Sequence, residues 1–163
     1  MVVEIRESGW APFDTPTAPE DFEMRLSTKS EYACLALIDL ARHYGRGYTK
    51  IAEITESRSI PRKYLEQIML ILKGSGYVQS RMGPDGGYRL GKPPEEICLA
   101  EVVRLLDGAL APVLAVSEYF YEPSAVEQSA ELMEVFSDIR NYIARRLEST
   151  TLRDLIPAQE DGP

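Results

Sequence analysis

The sequence predicts a mainly α fold with a small β-hairpin wing: a winged helix-turn-helix followed by a long dimerisation helix. Three observations lead there. Apolar residues recur at helical spacing in three short segments between Thr28 and Lys73. A Gly83-Pro-Asp-Gly-Gly87 run then separates two short strand-like segments. A last apolar stripe continues from about 124 to 148.

Each element has a local reason. Thr28-Lys-Ser-Glu31 has the spacing of a capping box, with Thr28 on the third helical amide and Glu31 bonding back. The helix is expected to reach about Tyr44 and stop at Gly45, with Tyr32, Leu35, Ala36 and Leu40 as its stripe. Thr49 is placed to cap a short second helix through about Ser57, with Ile51 and Ile54 inward. Pro61 opens a third helix, because proline is tolerated in a first turn. Leu65, Ile68, Met69 and Leu72 stand at i, i+3, i+4 and i+7 and define its buried side, and Gly74 and Gly76 end it.

Tyr77–Met82 and Tyr88–Leu90 are strand candidates, and Gly83, Pro84, Gly86, Gly87 and Tyr88 make the wing between and after them. A fourth helix starts near Cys98, with Leu99, Val102, Val103 and Leu106 apolar and Asp107-Gly108 as its end. Residues 109–123 are irregular and aromatic. A helix of roughly 25 residues, about 37 Å long, is expected from Ser124 to Glu148. Its Val126, Met133, Phe136, Ile139 and Ile143 are candidate dimerisation residues, since so long a stripe exceeds what one small domain covers. Ser149-Thr-Thr151 caps a final turn from Leu152 to Ile156.

Composition bounds the function. The chain has 163 residues, 44% of them apolar, which supports a core and excludes wholesale disorder. No run approaches the eighteen or so apolar residues of a membrane span. The N-terminal segment has no basic and apolar secretory pattern, so a cytoplasmic protein with reduced Cys34 and Cys98 is expected. Two cysteines and one histidine, His43, cannot complete an all-Cys/His tetrahedral metal site in one chain, so no metal is expected.

The net charge of −8 argues against nucleic acid, but it is unevenly spread. Residues 1–23 carry −5, residues 24–92 carry +6 and residues 93–163 carry −9. The expected organisation follows those limits. Residues 1–23, with Pro12, Pro16 and Pro19, form a disordered acidic extension, and Met24 is an alternative natural start. Residues 24–92 form the winged helix-turn-helix, and residues 93–163 a linker helix, an effector loop and the dimerisation helix. A basic block of this size is the electrostatic footprint of polyanion binding.

The third helix begins with Arg62, Lys63 and Tyr64 on the side away from its apolar stripe. Arginine can give two parallel hydrogen bonds to guanine, and lysine reaches guanine or phosphate. Gln67 is placed to read adenine, while Glu66 can accept from cytosine or orient Arg62 or Lys63. Lys29, at the start of the first helix, suits a phosphate. Arg81 and Arg89 lie on the wing, within reach of phosphate or minor groove.

Four blocks extend the reading. Met24-Arg-Leu-Ser-Thr-Lys-Ser-Glu-Tyr-Ala33, Tyr64-Leu-Glu-Gln67, Gly83-Pro-Asp-Gly-Gly-Tyr88 and Thr150-Thr-Leu-Arg-Asp-Leu155 resemble, in order and spacing, the signature blocks of the Rrf-two family of bacterial winged-helix transcriptional regulators. The resemblance covers about residues 24–156 and implies a homodimer on a double-stranded DNA operator. It places the DNA-binding helix-turn-helix from about Ile51 to Lys73 and gives Glu66 a part in operator discrimination. The chain departs from the pattern at Met82, where an arginine is usual, and at Asp85, which puts a negative charge at the wing tip. Cluster-binding members carry three cysteines in the loop before the long helix, and residues 109–123 contain none. The sequence thus resembles the cysteine-poor, CymR-like branch, and no iron–sulfur cofactor is expected.

Alternatives remain open at this point. Glu31 stands where some cluster-binding members place a carboxylate ligand, and with Cys34 and Cys98 it forms a candidate thiol-switch or unusual cluster set. A repressor biased by a metabolite or protein at the 109–123 loop competes with a winged-helix protein-interaction module that binds no DNA. An enzyme is not expected: the sequence has no Gly-rich phosphate loop, no metal-ligand run and a single histidine for general base work.

Overall fold

Five helices and one hairpin follow one another along residues 26–157, the part of the chain that the computed structural model describes. The acidic extension expected at 1–23 lies outside the described residues. The helices are α1 (Thr28–Arg42), α2 (Ile51–Arg58), α3 (Arg62–Gly74), α4 (Leu99–Asp107) and α5 (Ala130–Glu148). The hairpin pairs β1 (Val78–Arg81) with β2 (Gly87–Leu90) antiparallel, Val78 opposite Leu90 and Arg81 opposite Gly87. Short 3-10 turns lie at Pro94–Glu96, Leu114–Val116, Ala125–Gln128 and Arg153–Leu155.

The start of α1 is set one residue earlier than its sequence suggests. Ser27, extended at φ −66°, is the N-cap, and its hydroxyl accepts from the Ser30 amide at 3.2 Å. Thr28 is already helical, so the capping box read at Thr28–Glu31 does not form. A distant partner decides this. Asp107, at the end of α4, accepts from the Ser27 amide at 2.9 Å and from its hydroxyl, and so holds the cap in place.

The cap expected of Thr49 does not form either. Lys50 is the N-cap of α2 and gives no side-chain cap bond. Thr49 is buried and bridges Tyr88 instead, each amide donating to the other's carbonyl at 2.8 Å.

One core joins all these elements. Leu37 and Leu40 of α1, Ile54 of α2, and Leu65, Ile68, Met69 and Leu72 of α3 are all buried together with Val78 and Leu90 of the hairpin. Fully burying one such side chain stabilises by about 1.5–3 kcal/mol. Ile97, Val102 and Leu152 extend the cluster. Leu152 gets there because the C-terminal segment returns to the start of α4: Leu99 N donates to Thr150 O and Leu152 N to Ile97 O, both at 2.9 Å.

One charge is buried with this core. The Asp39 carboxylate accepts from Arg58 Nε at 3.0 Å and from Ser57 Oγ at 2.7 Å, with Arg42 at 3.6 Å. Burial alone would raise its pKa. The bonds from Arg58 and Ser57, with the charges of Arg58 and Arg42, outweigh burial and hold it below the usual carboxylate value. This link ties α1 to the last turn of α2.

The long last helix is shorter than expected. Ser124 caps only the 3-10 turn, in a capping box with Glu127. Ser129 then adopts an extended backbone, φ −124° and ψ 111°, and caps α5 afresh through the Leu132 amide at 3.3 Å. The result is 19 helical residues, about 28 Å. Val126 consequently lies in the 3-10 turn and not on the helix. Met133, Phe136 and Ile143 are half-buried within the single chain, and only Ala144 of α5 is fully buried. Leu132, Val135, Ile139 and Tyr142 are exposed and recur at helical spacing as an adjacent open stripe.

Candidate nucleic-acid interface

The helix-turn-helix is made by α2, α3 and the three residues between them. Ser59 closes α2 in the left-handed region at φ 53°, Ile60 drops into the core, and Pro61 caps α3 with its fixed φ of −58°. The apolar stripe of α3 is fully buried, which turns Arg62, Lys63 and Gln67 outward, and all three are exposed. Arg62 Nε donates to Glu66 Oε1 at 3.0 Å, one helical turn on. Glu66 therefore holds the guanidinium at the open end of α3, and the two terminal nitrogens remain available for a base edge.

Tyr64 corrects the expectation that it faces outward with Arg62 and Lys63. It is half-buried against the core, its ring edge-on to Tyr32 with centroids 5.7 Å apart. Its position in the helix sits too near the buried stripe for the ring to leave it. Lys29 is half-buried in the first turn of α1. Arg58 is a base that sequence counting credits to the surface, but Asp39 engages it.

The wing is organised from one side. Gln79 lies opposite Arg89 in the register, and Arg81 lies two residues along the strand from Gln79, so the three share a face. Arg89 donates from Nε and Nη2 to Gln79 Oε1 at 3.1 and 2.9 Å. Its guanidinium sits 4.9 Å from the centroid of the Tyr48 ring, and that of Arg81 sits 5.9 Å away. Met82, beyond the ladder, is 95% exposed where the family pattern has arginine. Gly83, Pro84 and Asp85 form the exposed tip, and Gly86 and Gly87 return the chain to Tyr88. Gly87 has no room for a side chain unless the backbone shifts: φ is +146°, and a Cβ there would stand 2.3 Å from the Thr49 carbonyl oxygen.

Sequence reasoning missed Tyr48. It sits in the turn after α1, and no local signal marks it as the ring under two wing arginines.

The candidate sensing residues are not brought together. Cys34 is half-buried on α1, and burial, with the nearby Asp107 charge, pushes its thiol up to about 11. Cys98 is the N-cap of α4 and bridges Thr151. Glu31 is exposed on α1. Among the described residues no three His, Cys, Asp or Glu side chains are grouped closely enough to hold a metal.

The same winged arrangement is recognised outside this chain. Residues 26–158 match the family model Rrf2, described as iron-dependent transcriptional regulator. The chain belongs to the Rrf2 family. Its members are DNA-binding transcriptional regulators of the helix-turn-helix type. The chain is 34% identical over 132 residues to the HTH-type transcriptional regulator CymR of Bacillus subtilis, covering 81% of this chain and 89% of the relative. It is 44% identical over 84 residues to IscR of Photorhabdus laumondii, covering 52% of this chain and 51% of that relative. Among solved structures it resembles CymR, the global cysteine regulator of B. subtilis, with a TM-score of 0.66 and 33% identity over 80% of this chain and 95% of that one.

The iron in the Rrf2 description can be tested against this chain's donors. With two thiols in the whole sequence, the chain cannot supply three thiolates to a cluster. The residues present do not fit an iron–sulfur site of the three-cysteine kind. No helix of the described residues is long and apolar enough to cross a membrane.

Proposed function

We propose that this Rrf2 regulator binds its operator as a homodimer and represses transcription without an iron–sulfur cluster. The Arg62–Glu66 pair carries the reading: a guanidinium fixed by its own helix, exposed at the start of α3, over a fully buried stripe. Lys63 and Gln67 complete the base-reading set, Lys29 supports it at the backbone, and Arg81 and Arg89 enter beside it from the wing. The open stripe of α5, Leu132, Val135, Ile139 and Tyr142, supports a second copy as partner. Met133, Phe136 and Ile143 brace that helix from within. Two-fold pairing would set the two α3 helices about one DNA turn apart, ~34 Å. A metabolite or partner protein acting on the 109–123 loop, which packs against α5, would bias that dimer. The basic block at residues 24–92, set against a net charge of −8, supports a role on DNA, and that role would be played in the cytoplasm.

Operator selection from random duplexes, followed by fluorescence anisotropy at several salt concentrations and light scattering, tests the reading. A dimer that binds a two-fold symmetric site with a steep salt dependence is expected, because each phosphate contact releases counterions. Salt-insensitive binding, or a monomer at working concentration, would overturn it.

A further inference from the structure

The cleft between α4, the 109–123 loop and α5 holds a buried donor atom with no hydrogen-bond partner among the described residues. Arg140 Nε is buried and has no hydrogen-bond partner among the described residues. The other end of this guanidinium makes only a long ion pair, Nη1 to Glu118 Oε2 at 3.6 Å, and Glu118 is exposed. Buried donors in folded proteins are paired, so an unpaired one marks a place that water or a ligand completes. Arg104, across the cleft, differs: it donates to Glu148 and lies 5.0 Å from the Tyr119 ring centroid.

The remaining walls are largely apolar. Leu110, Phe120 and Ala144 line the cleft with the two arginines, and Phe120 and Tyr119 stay 43% and 64% exposed. The enclosed floor holds about one water, and with its open mouth the cleft reaches about 250 Å³. Most of that volume is open to solvent, so a ligand would seat only its polar end at the floor and lay its body across the mouth, where the lining suits an apolar body beside one anionic group.

We propose that this cleft binds a small organic carboxylate, its carboxylate on Arg140 and its apolar body against Phe120, Leu110 and Ala144. A planar carboxylate matches the guanidinium fork and can take the Nε–H that no other described residue takes. Glu118 already shows that this guanidinium accepts a carboxylate, but at long range and from an exposed loop, where solvent weakens the pair. An incoming carboxylate displaces Glu118 from Arg140 and leaves Phe120 in place as a wall of the cleft. Glu118 and Glu148 oppose a multiply charged anion, so a monocarboxylate is selected over phosphate. The inference rests on the effector-loop reading above and names its ligand class.

The test uses the full chain, labelled with nitrogen-15, without DNA. The Arg140 Nε–H resonance is followed while benzoate or isobutyrate is added, with benzamide and inorganic phosphate as controls. A saturable millimolar shift with the carboxylates is expected, as is usual for ligands of so few atoms. Benzamide and phosphate should bind at least about tenfold more weakly, and Arg140→Gln should lose about tenfold in benzoate affinity. Glu118→Gln should tighten benzoate severalfold, because the internal competitor is gone. If Arg140→Gln fails to fold, the Glu118→Gln and benzamide comparisons decide alone. No shift of Arg140 up to about 50 mM carboxylate, equal binding of benzamide, or no gain from Glu118→Gln would overturn the proposal. Operator binding is read separately by anisotropy, so a failure at the cleft leaves the reading of α3 standing, and the reverse holds.

Discussion

Thr49 and Tyr88 exchange both of their backbone hydrogen bonds, at 2.8 Å each way. The wing is therefore fastened to the turn after α1 and does not hang from α3 alone. That same turn carries Tyr48, the ring beneath Arg89 and Arg81. Position and direction of the wing arginines thus depend on a contact between two segments far apart in the chain.

Gly87→Ala tests this fastening. The new Cβ would meet the Thr49 carbonyl at 2.3 Å, in a backbone conformation that only glycine adopts readily. A loss of about 1–3 kcal/mol in stability is expected, together with faster hydrogen exchange at the Thr49 amide. Unchanged exchange there would show that the bridge does not hold the wing.

Replacing Arg62 or Lys63 by alanine should cost about 1–3 kcal/mol of operator binding where the side chain reads a base. Glu66→Gln should act differently. It removes the ion pair that aims Arg62, so discrimination between operator variants should fall more than affinity for the best site. Anisotropy titrations against single-base variants measure both. If both alanine variants bind as the parent does, α3 is not the reading helix.

Asp39 predicts an acid limit to stability. Its folded pKa lies below its unfolded value, held down by Arg58, Ser57 and Arg42 against burial. Its contribution is complete above the unfolded carboxylate pKa and disappears as pH falls through the folded one. Asp39→Asn should flatten the melting temperature across that acid window. Asp39→Ala should cost about 3 kcal/mol at neutral pH, since it strands the partly buried Arg58. Melting curves from pH 3 to pH 7, roughly the carboxylate range and above, measure both effects.

Cys34 should be inert. With its thiol pushed up to about 11, almost none of it is thiolate at neutral pH. In a Cys98→Ser background, alkylation by iodoacetamide at pH 7.5 should run far below the rate of an unhindered peptide thiol, about pKa 8.5. Rapid labelling would restore Cys34 as a redox candidate.

If the proposed homodimer pairs through the open stripe of α5, Val135→Glu should separate it and leave the fold intact, because Val135 is 53% exposed in the single chain. Light scattering and circular dichroism measure the two parts. Met133→Ala should instead lower the melting temperature, since Met133 is half-buried within its own chain.

Most of the fold was legible in the sequence. The i, i+3, i+4, i+7 spacing of Leu65, Ile68, Met69 and Leu72 records which side of α3 faces a core, and Pro61 and the 83–87 glycines mark where regular structure must stop. The outward position of Arg62, Lys63 and Gln67 follows from the same period. Local rules failed where a distant partner outbid a near one. Ser27 displaced Thr28 as the cap of α1 because Asp107 arrives from α4, and Thr49 left its capping role because Tyr88 arrives from the wing. Tyr64, next to the buried stripe in its own helix, lies inward with its ring edge-on to Tyr32.

By itself, then, the sequence determined the order of elements, the buried side of α3, the basic block and the shortage of thiols, since all four are properties of local period and composition. Only the tertiary structure decided which caps form, that Arg58 is spent on Asp39, that Tyr48 underlies the wing arginines, and that Arg140 Nε has no hydrogen-bond partner among the described residues. Those outcomes depend on groups far apart in the chain meeting in a low-dielectric interior, where one hydrogen bond made or missed outweighs a local preference.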